Sequence, residues 1–254
     1  MLKSFFQVLA ACLLTGWMPL TSAETIKVLT AGAFKQVVLE MVPTFEAQTG
    51  HRVVVDNDTA GALSKRLASG EAFDVAIITP GAFKPFEANG VVDVRSVRNI
   101  AKVAIGVAVK QGAPLPPMKT VDDFKAALQH ARRVAYIDPA AGGSSGIYLD
   151  QWFKTQGLSE MIRPKAVLVP GGLVADRLVS GEADLAIHQI SEILPVQGAQ
   201  LVAPLPEAIQ NYTTYAAALS APGSQRQAAQ DFWRMLAGPS AHSVIQSKGM
   251  QPLP

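Results

Sequence analysis

The chain is poor in the residues that would make several kinds of protein. Its one cysteine is Cys12, in the first apolar stretch. Disulfide frameworks, thiolate metal sites and cysteine nucleophiles are therefore excluded from everything after it. Its histidines, His51, His130, His188 and His242, have no metal-ligand spacing among them. No phosphate-cradling loop and no Ser/His/Asp signature with local support is present. No run of like charge and no low-complexity tail appears. The formal net charge is only +2, which argues against a nucleic-acid partner, since that needs a strongly basic surface. Beyond residue 20 no segment is long and apolar enough to span a bilayer, so no stable membrane insertion is expected.

The first 23 residues read as a cleaved signal peptide. Lys3 supplies the positive start, residues 5–20 the apolar region, and Thr21-Ser22-Ala23 the small residues before a cut at Glu24. Leu9-Ala10-Ala11-Cys12 has the local look of a lipoprotein signal, but Cys12 lies too near the start and the apolar run continues past it. Cleavage would remove the only cysteine and, with Lys3, one positive charge, leaving about +1. The expected location is the periplasm. The roughly 230 residues that remain can bury a large core, as one domain or two lobes.

What is present is a near-repeat. Residues 61–77 read GALSKRLASGEAFDVAI and residues 172–187 read GLVADRLVSGEADLAI. Each copy is a glycine, an amphipathic helix, a Gly turn and a short apolar strand. Two similar α/β lobes follow, and two glycine-freed helix N-termini facing one cleft would clamp a small anion. Arg66 and Arg177 fall at equivalent places, which points to structural pairing with Glu71 and Glu182.

Strand and helix signals alternate along the chain. Strands are expected at 26–30, 52–56, 74–78, 103–110, 133–137, 165–169, 184–188 and 212–219. Helices are expected at 33–49, 63–69, 121–128, 145–156, 173–180, 225–236 and 241–247. The fold class is α/β, with parallel-rich sheets flanked by helices and a ligand cleft between two lobes. The strands at 103–110 and 212–219 would cross between the lobes. Lobe 1 is then 24–103 plus 214–254, and lobe 2 is 104–213. Ligands of open α/β sheets bind beyond the carboxyl ends of the strands. Four such junctions are rich in small residues: 30–35 (TAGAFK), 58–61 (DTAG), 138–146 (DPAAGGSSG) and 170–172 (PGG).

At these junctions, and in SGEAFDVAI and the C-terminal LAGPSAHSVIQSKGM, the chain resembles the periplasmic molybdate-binding proteins. These are type II substrate-binding proteins of ABC transporters. The resemblance implies the two-lobed type II fold over the whole mature chain. The departures are chemical. Where that family places serine hydroxyls, this chain has Ala33 and Ala60-Gly61, with Thr59 nearby. Where it places a tyrosine at a lobe-two strand end, this chain has His188 or Gln189. Hydroxyls are lost, and the longer Lys35, His188 and Gln189 are gained, which suits a larger anion such as a planar carboxylate. In this the chain resembles the periplasmic aconitate isomerases, which are related to the same family.

The resemblance implies an isomerase that interconverts trans- and cis-aconitate by an allylic proton shift. The second reading is a non-catalytic ABC-transporter binding protein for molybdate-like oxyanions or small organic acids, with a permease partner. In either case the chain is expected to be a monomer that uses no cofactor or metal. His188 and Lys35 are the catalytic candidates. The expected substrate-binding positions are Ala33, Lys35, Thr59, Gly61, Thr79, Ser144, Ser145, Gly172, His188 and Gln189. Each has a plainer reading: Lys35 as a solvated helix residue, His188 as a satisfied core residue, and the serines and threonines as helix caps. Ligand that binds only the folded state raises the melting temperature by mass action. Titration with trans-aconitate is expected to raise it, and molybdate to raise it little or not at all.

Overall fold

The computed structural model describes residues 23–254. Apart from Ala23, the expected signal peptide lies outside the described residues. Among the described residues no helix is long and apolar enough to cross a membrane.

Among the described residues, ten strands carry the fold. The first three are β1 (Thr25–Ala31), β2 (Arg52–Asp58) and β3 (Val75–Ile78). The long β4 (Arg98–Lys110) follows, then β5 (Val134–Ile137), β6 (Ala166–Val169) and β7 (Leu185–Gln189). The last are β8 (Ala199–Pro204), β9 (Tyr212–Leu219) and β10 (Met250–Pro252). Their order is β2-β1-β3-β9-β4-β7-β5-β6, with β8 and β10 also on β4.

The outer strands pair in parallel, β1 with β2 and β3, and β5 with β6 and β7. The central pairings of β4 and β9 are antiparallel, because one strand leaves the first sheet and the other returns to it. β4 serves both sheets. Its Arg98–Ala104 half pairs with β9, and its Ile105–Ala108 segment pairs with β7.

Between the strands lie α1 (Gly32–Thr49), α2 (Ala60–Ala68), α3 (Pro80–Ala88), α4 (Val121–His130) and α5 (Ser144–Thr155). After them come α6 (Ser159–Ile162), α7 (Asp176–Val179), α8 (Ile190–Ile193), α9 (Gln227–Ala237) and α10 (His242–Ser247). The helix α3 escapes a propensity reading because Pro80, Gly81 and Pro85 look like breakers. Pro80 sits in the first turn, where no backbone donor is required.

The cores follow the two sheets. Phe34, Phe45, Phe83 and Phe232 belong to one buried cluster around β1, β3 and β9. Phe124, Trp152 and Phe153 anchor a second, between β5, β7, α4 and α5. Leu178 and Ile193 belong to a third, on the opposite face of that sheet. The C-terminal segment returns to the first cluster. There Arg226 ties it to β1 and β3, bonding Glu24 at 3.0 Å and Asp74 at 2.7 Å.

The repeat's arginines are structural. Arg66 holds Glu71 through two contacts of 2.6 Å and also pairs with Asp56. Arg177 holds Glu182 at 2.9 Å. The two helices differ, however. Thr59 accepts a bond from the Ala62 N–H and starts α2. Pro170 stands at the matching place and offers no side-chain acceptor. Residues 173–178 wind with i→i−3 bonds, such as Asp176 N–H to Leu173 O, so the α-helix α7 is a single turn rather than the expected 173–180.

The N-terminal end of α2 meets the loop before α5. The Gly61 N–H donates to Gly142 O at 3.1 Å, and the Thr59 hydroxyl donates to Ala141 O. A Cβ on Gly61 would lie 2.8 Å from Gly142 Cα, closer than backbone allows. Gly61→Ala is therefore expected to part the lobes at this contact. Small-angle scattering should show a larger radius of gyration than wild type, and an unchanged one would refute this role.

Candidate active site

A cavity of about 140 Å³ lies where the two sheets meet. One water needs only about 10–15 Å³ of such space, so the cavity admits a small multi-oxygen anion. It is lined from β1 and α1 by Ala31, Gly32, Ala33, Lys35 and Gln36. Asn57, Asp58, Thr59 and Ala60 come from the β2–α2 junction, and Ile137, Gly143, Ser144 and Ser145 from the β5–α5 junction. Gly172, Leu173, His188, Gln189, Glu192 and Tyr215 complete it.

The structure thus brings together Ala33, Lys35, Thr59, Ser144, Ser145, Gly172, His188 and Gln189. It leaves out two expected residues. Gly61 packs on Gly142 beside the cavity rather than lining it. Thr79 precedes α3 and is not in the lining: the strand β3 that leads to it pairs with β9, and the cavity draws on the ends of β1, β2, β5 and β7 instead.

The anion-attracting ends also differ from the expected pair. Thr59 spends its oxygen on α2, and α7 is one turn long. Two longer helices that start at the cavity, α1 and α5, are uncapped: Ala31 and Gly143 give no side-chain bond. Both helices are long enough to carry a dipole, and their first N–H groups are free for a ligand. Lys35, in the first turn of α1, has no ion-pair partner among the described residues. Asp58 brings a negative charge to the lining, partly offset by Arg66, 3.9 Å away.

Glu192 is the residue the sequence reading missed. It sits in the short helix α8, four positions after His188, and its Oε2 lies 3.3 Å from His188 Nε2. Both residues are buried. Burial pushes the Glu192 carboxyl up to about 8, the Lys35 charge offsetting only part of this. Burial also pushes His188 down, to about 3. Burial thus favours the uncharged form of each group. The other imidazole nitrogen, Nδ1, is buried and has no hydrogen-bond partner among the described residues. The Glu192 carboxyl sits close over Gly32: a Cβ there would lie 2.5 Å from Glu192 Oε1, and the carboxyl would have to move. The spacing His188–Glu192 at a strand end was a readable signal.

Tyr215 was also missed. It is the buried tyrosine of the alanine-rich β9, and its hydroxyl donates to Gln189 Oε1 at 2.8 Å. Burial and the neighbouring Glu192 hold its phenol well above the usual range.

A group whose pKa is raised by folding keeps its proton above the pH at which the unfolded chain releases it. Stability then falls as pH rises from the unfolded value toward the folded one. For Glu192 that window runs from 4.5 to about 8. Glu192→Gln removes this term, so its melting temperature is expected to gain on wild type between pH 5 and pH 8. A difference independent of pH would show that Glu192 is not held neutral.

The profile of the bacterial extracellular solute-binding protein family matches residues 26–251. A curated relative, an aconitate isomerase of a Pseudomonas species, is 32% identical over 245 residues, 93% of this chain and 92% of that protein. Among solved structures, the periplasmic molybdate-binding protein of Azotobacter vinelandii superposes with a TM-score of 0.75 at 19% identity, covering 90% of this chain and 99% of that one. A sulfate-binding protein of Mycobacterium tuberculosis superposes with a TM-score of 0.74 at 17% identity, covering 91% and 87%. The chain belongs to the bacterial extracellular solute-binding protein family.

Proposed function

We propose that this solute-binding-protein chain is an isomerase that moves a proton between the allylic carbons of trans- and cis-aconitate, with Glu192 carrying the proton. The observation that carries the reading is the buried Glu192 carboxyl in the cleft, 3.3 Å from His188 Nε2 and close enough to Lys35 to feel its charge. A binding site for an anion has little use for a carboxyl that repels its ligand when ionised. An allylic proton shift needs such a group, with a pKa near the working pH. The 32% identical aconitate isomerase supports the substrate.

In this mechanism the ionised Glu192 takes a proton from the substrate's CH2 carbon. The C–H electrons move into the allyl system, and negative charge spreads onto the adjoining carboxylate as a dienolate. Lys35 and the free N–H groups of α1 and α5 stabilise that charge. Glu192 O–H then returns the proton to the former vinyl carbon, and the double bond ends one position along. His188 is the less exposed of the pair, so its part is to hold the Glu192 proton by its Nε2 contact, rather than to reach the substrate as the sequence suggested. Ser144 and Ser145 are placed to bind a substrate carboxylate. Export to the periplasm accords with the extracellular family.

The second reading is a transporter's binding protein that delivers a small anion to an ABC permease. The family match and the molybdate- and sulfate-binding neighbours favour it. Purified protein incubated with trans-aconitate in deuterated water distinguishes the two. The enzyme is expected to yield cis-aconitate, with deuterium at the carbon that receives the proton whenever Glu192 exchanges with solvent. Because the base must be ionised, kcat/KM is expected to rise about tenfold per pH unit up to about pH 8 and then level off. Glu192→Gln is expected to lose roughly 10²–10⁴ in rate while still binding aconitate. Binding with no isomerisation in the wild type would leave only the transport reading.

A further inference from the structure

The bond between Tyr215 and Gln189 joins the two lobes at the floor of the cavity. Tyr215 stands on β9, which pairs with β3 and the first half of β4. Gln189 ends β7, which pairs with β5 and the second half of β4. Both side chains are buried, 3% and 2% exposed. A glutamine amide has two faces, one that accepts and one that donates. The phenol hydroxyl donates to Oε1, so the accepting face is already engaged. The amide nitrogen Nε2 has no hydrogen-bond partner within the described residues, and it is not one of their buried orphan atoms. Since Gln189 lines the cavity, Nε2 opens onto it.

We propose that Gln189 is a specificity-determining residue and that Tyr215 is its positioning residue. With Oε1 locked by the phenol, the amide offers only N–H donors to the ligand. The subsite next to Glu192 therefore takes a ligand oxygen that accepts, as an ionised carboxylate does. It rejects a ligand group that can only donate, whose hydrogens would face the amide's own. This rests on the cavity being the ligand site and holds whether the bound anion is isomerised or only carried.

The test is a double-mutant cycle read by calorimetry, with full-length mature protein and propane-1,2,3-tricarboxylate, which lacks the double bond and cannot be isomerised. Tyr215→Phe frees the amide to turn and is expected to weaken binding about tenfold, the worth of one net hydrogen bond. Gln189→Met, similar in size, removes the donor and is expected to weaken it at least as much. In the Gln189→Met background, Tyr215→Phe is expected to cost nothing further. A tyrosine with a merely structural role would cost the same in both backgrounds, and that additive result would overturn the proposal. Gln189→Glu puts a negative oxygen where the N–H stood, and binding is expected to fall more than a hundredfold. Melting curves of all variants confirm that each is folded.

The cycle is repeated with molybdate, so a chain that only carries oxyanions still answers. In that case the isomerase reading fails while the same non-additive loss supports the positioning of Gln189. Unchanged affinity of Tyr215→Phe for the bound anion, or a wild-type protein that binds neither anion, overturns it.

Discussion

Everything at the cleft hangs from one strand. β4 has hydrogen-bonded neighbours in both sheets, the first half with β9 and β10 and the second with β7 and β8. A strand cannot bend sharply without breaking its ladder, so the two sheets keep a common seam along it. The ends of β1, β2, β5 and β7 consequently open toward the same gap. Each of those ends is followed by a loop of small residues or a helix start, and these elements make most of the cavity wall.

The chemistry of that wall is set by burial as much as by its groups. Burial pushes the Glu192 carboxyl up and His188 down, because an isolated buried charge is costly. The same burial strengthens Lys35 and the two uncapped helix ends as partners for a ligand's negative charge. A carboxyl that burial holds toward its neutral form thus stands among groups that favour anions. This separates the cleft from one built only of hydroxyls and amides, in which nothing could hold a proton near neutral pH.

Two of the contacts between the lobes differ in character. At the cavity floor, Tyr215 and Gln189 share a buried hydrogen bond. At the α2 end, Gly61 and Gly142 meet backbone to backbone, with Thr59 bonding Ala141 O across the same gap. The first contact orients a side chain, and the second depends on having no side chain at all. Thr59 serves both its own helix and the other lobe, which explains why a threonine rather than a serine-rich oxyanion loop works there: its hydroxyl is already engaged within the protein.

Much of the fold was legible in local pattern. Period-two and period-3.6 hydrophobicity located most of the strands and helices, since burial of one face is a local property of sequence. The repeat showed that Arg66 and Arg177 share a structural task, because each finds its partner, Glu71 or Glu182, only five residues on. Lys35, His188, Gln189 and the serines at 144 and 145 were visible as polar groups at strand ends. The tertiary structure alone decided the rest. Glu192 looked like an ordinary helix glutamate until the fold seated it against Gly32, 160 positions away in sequence, and buried it. Tyr215 looked like one residue of a crossing strand until Gln189 arrived from the other lobe. Gly61 looked like a ligand loop until Gly142 closed on it. Periodicity reports which face of an element is buried. It does not report which two elements meet, and a carboxyl's pKa, an amide's orientation and a glycine's necessity all depend on that meeting.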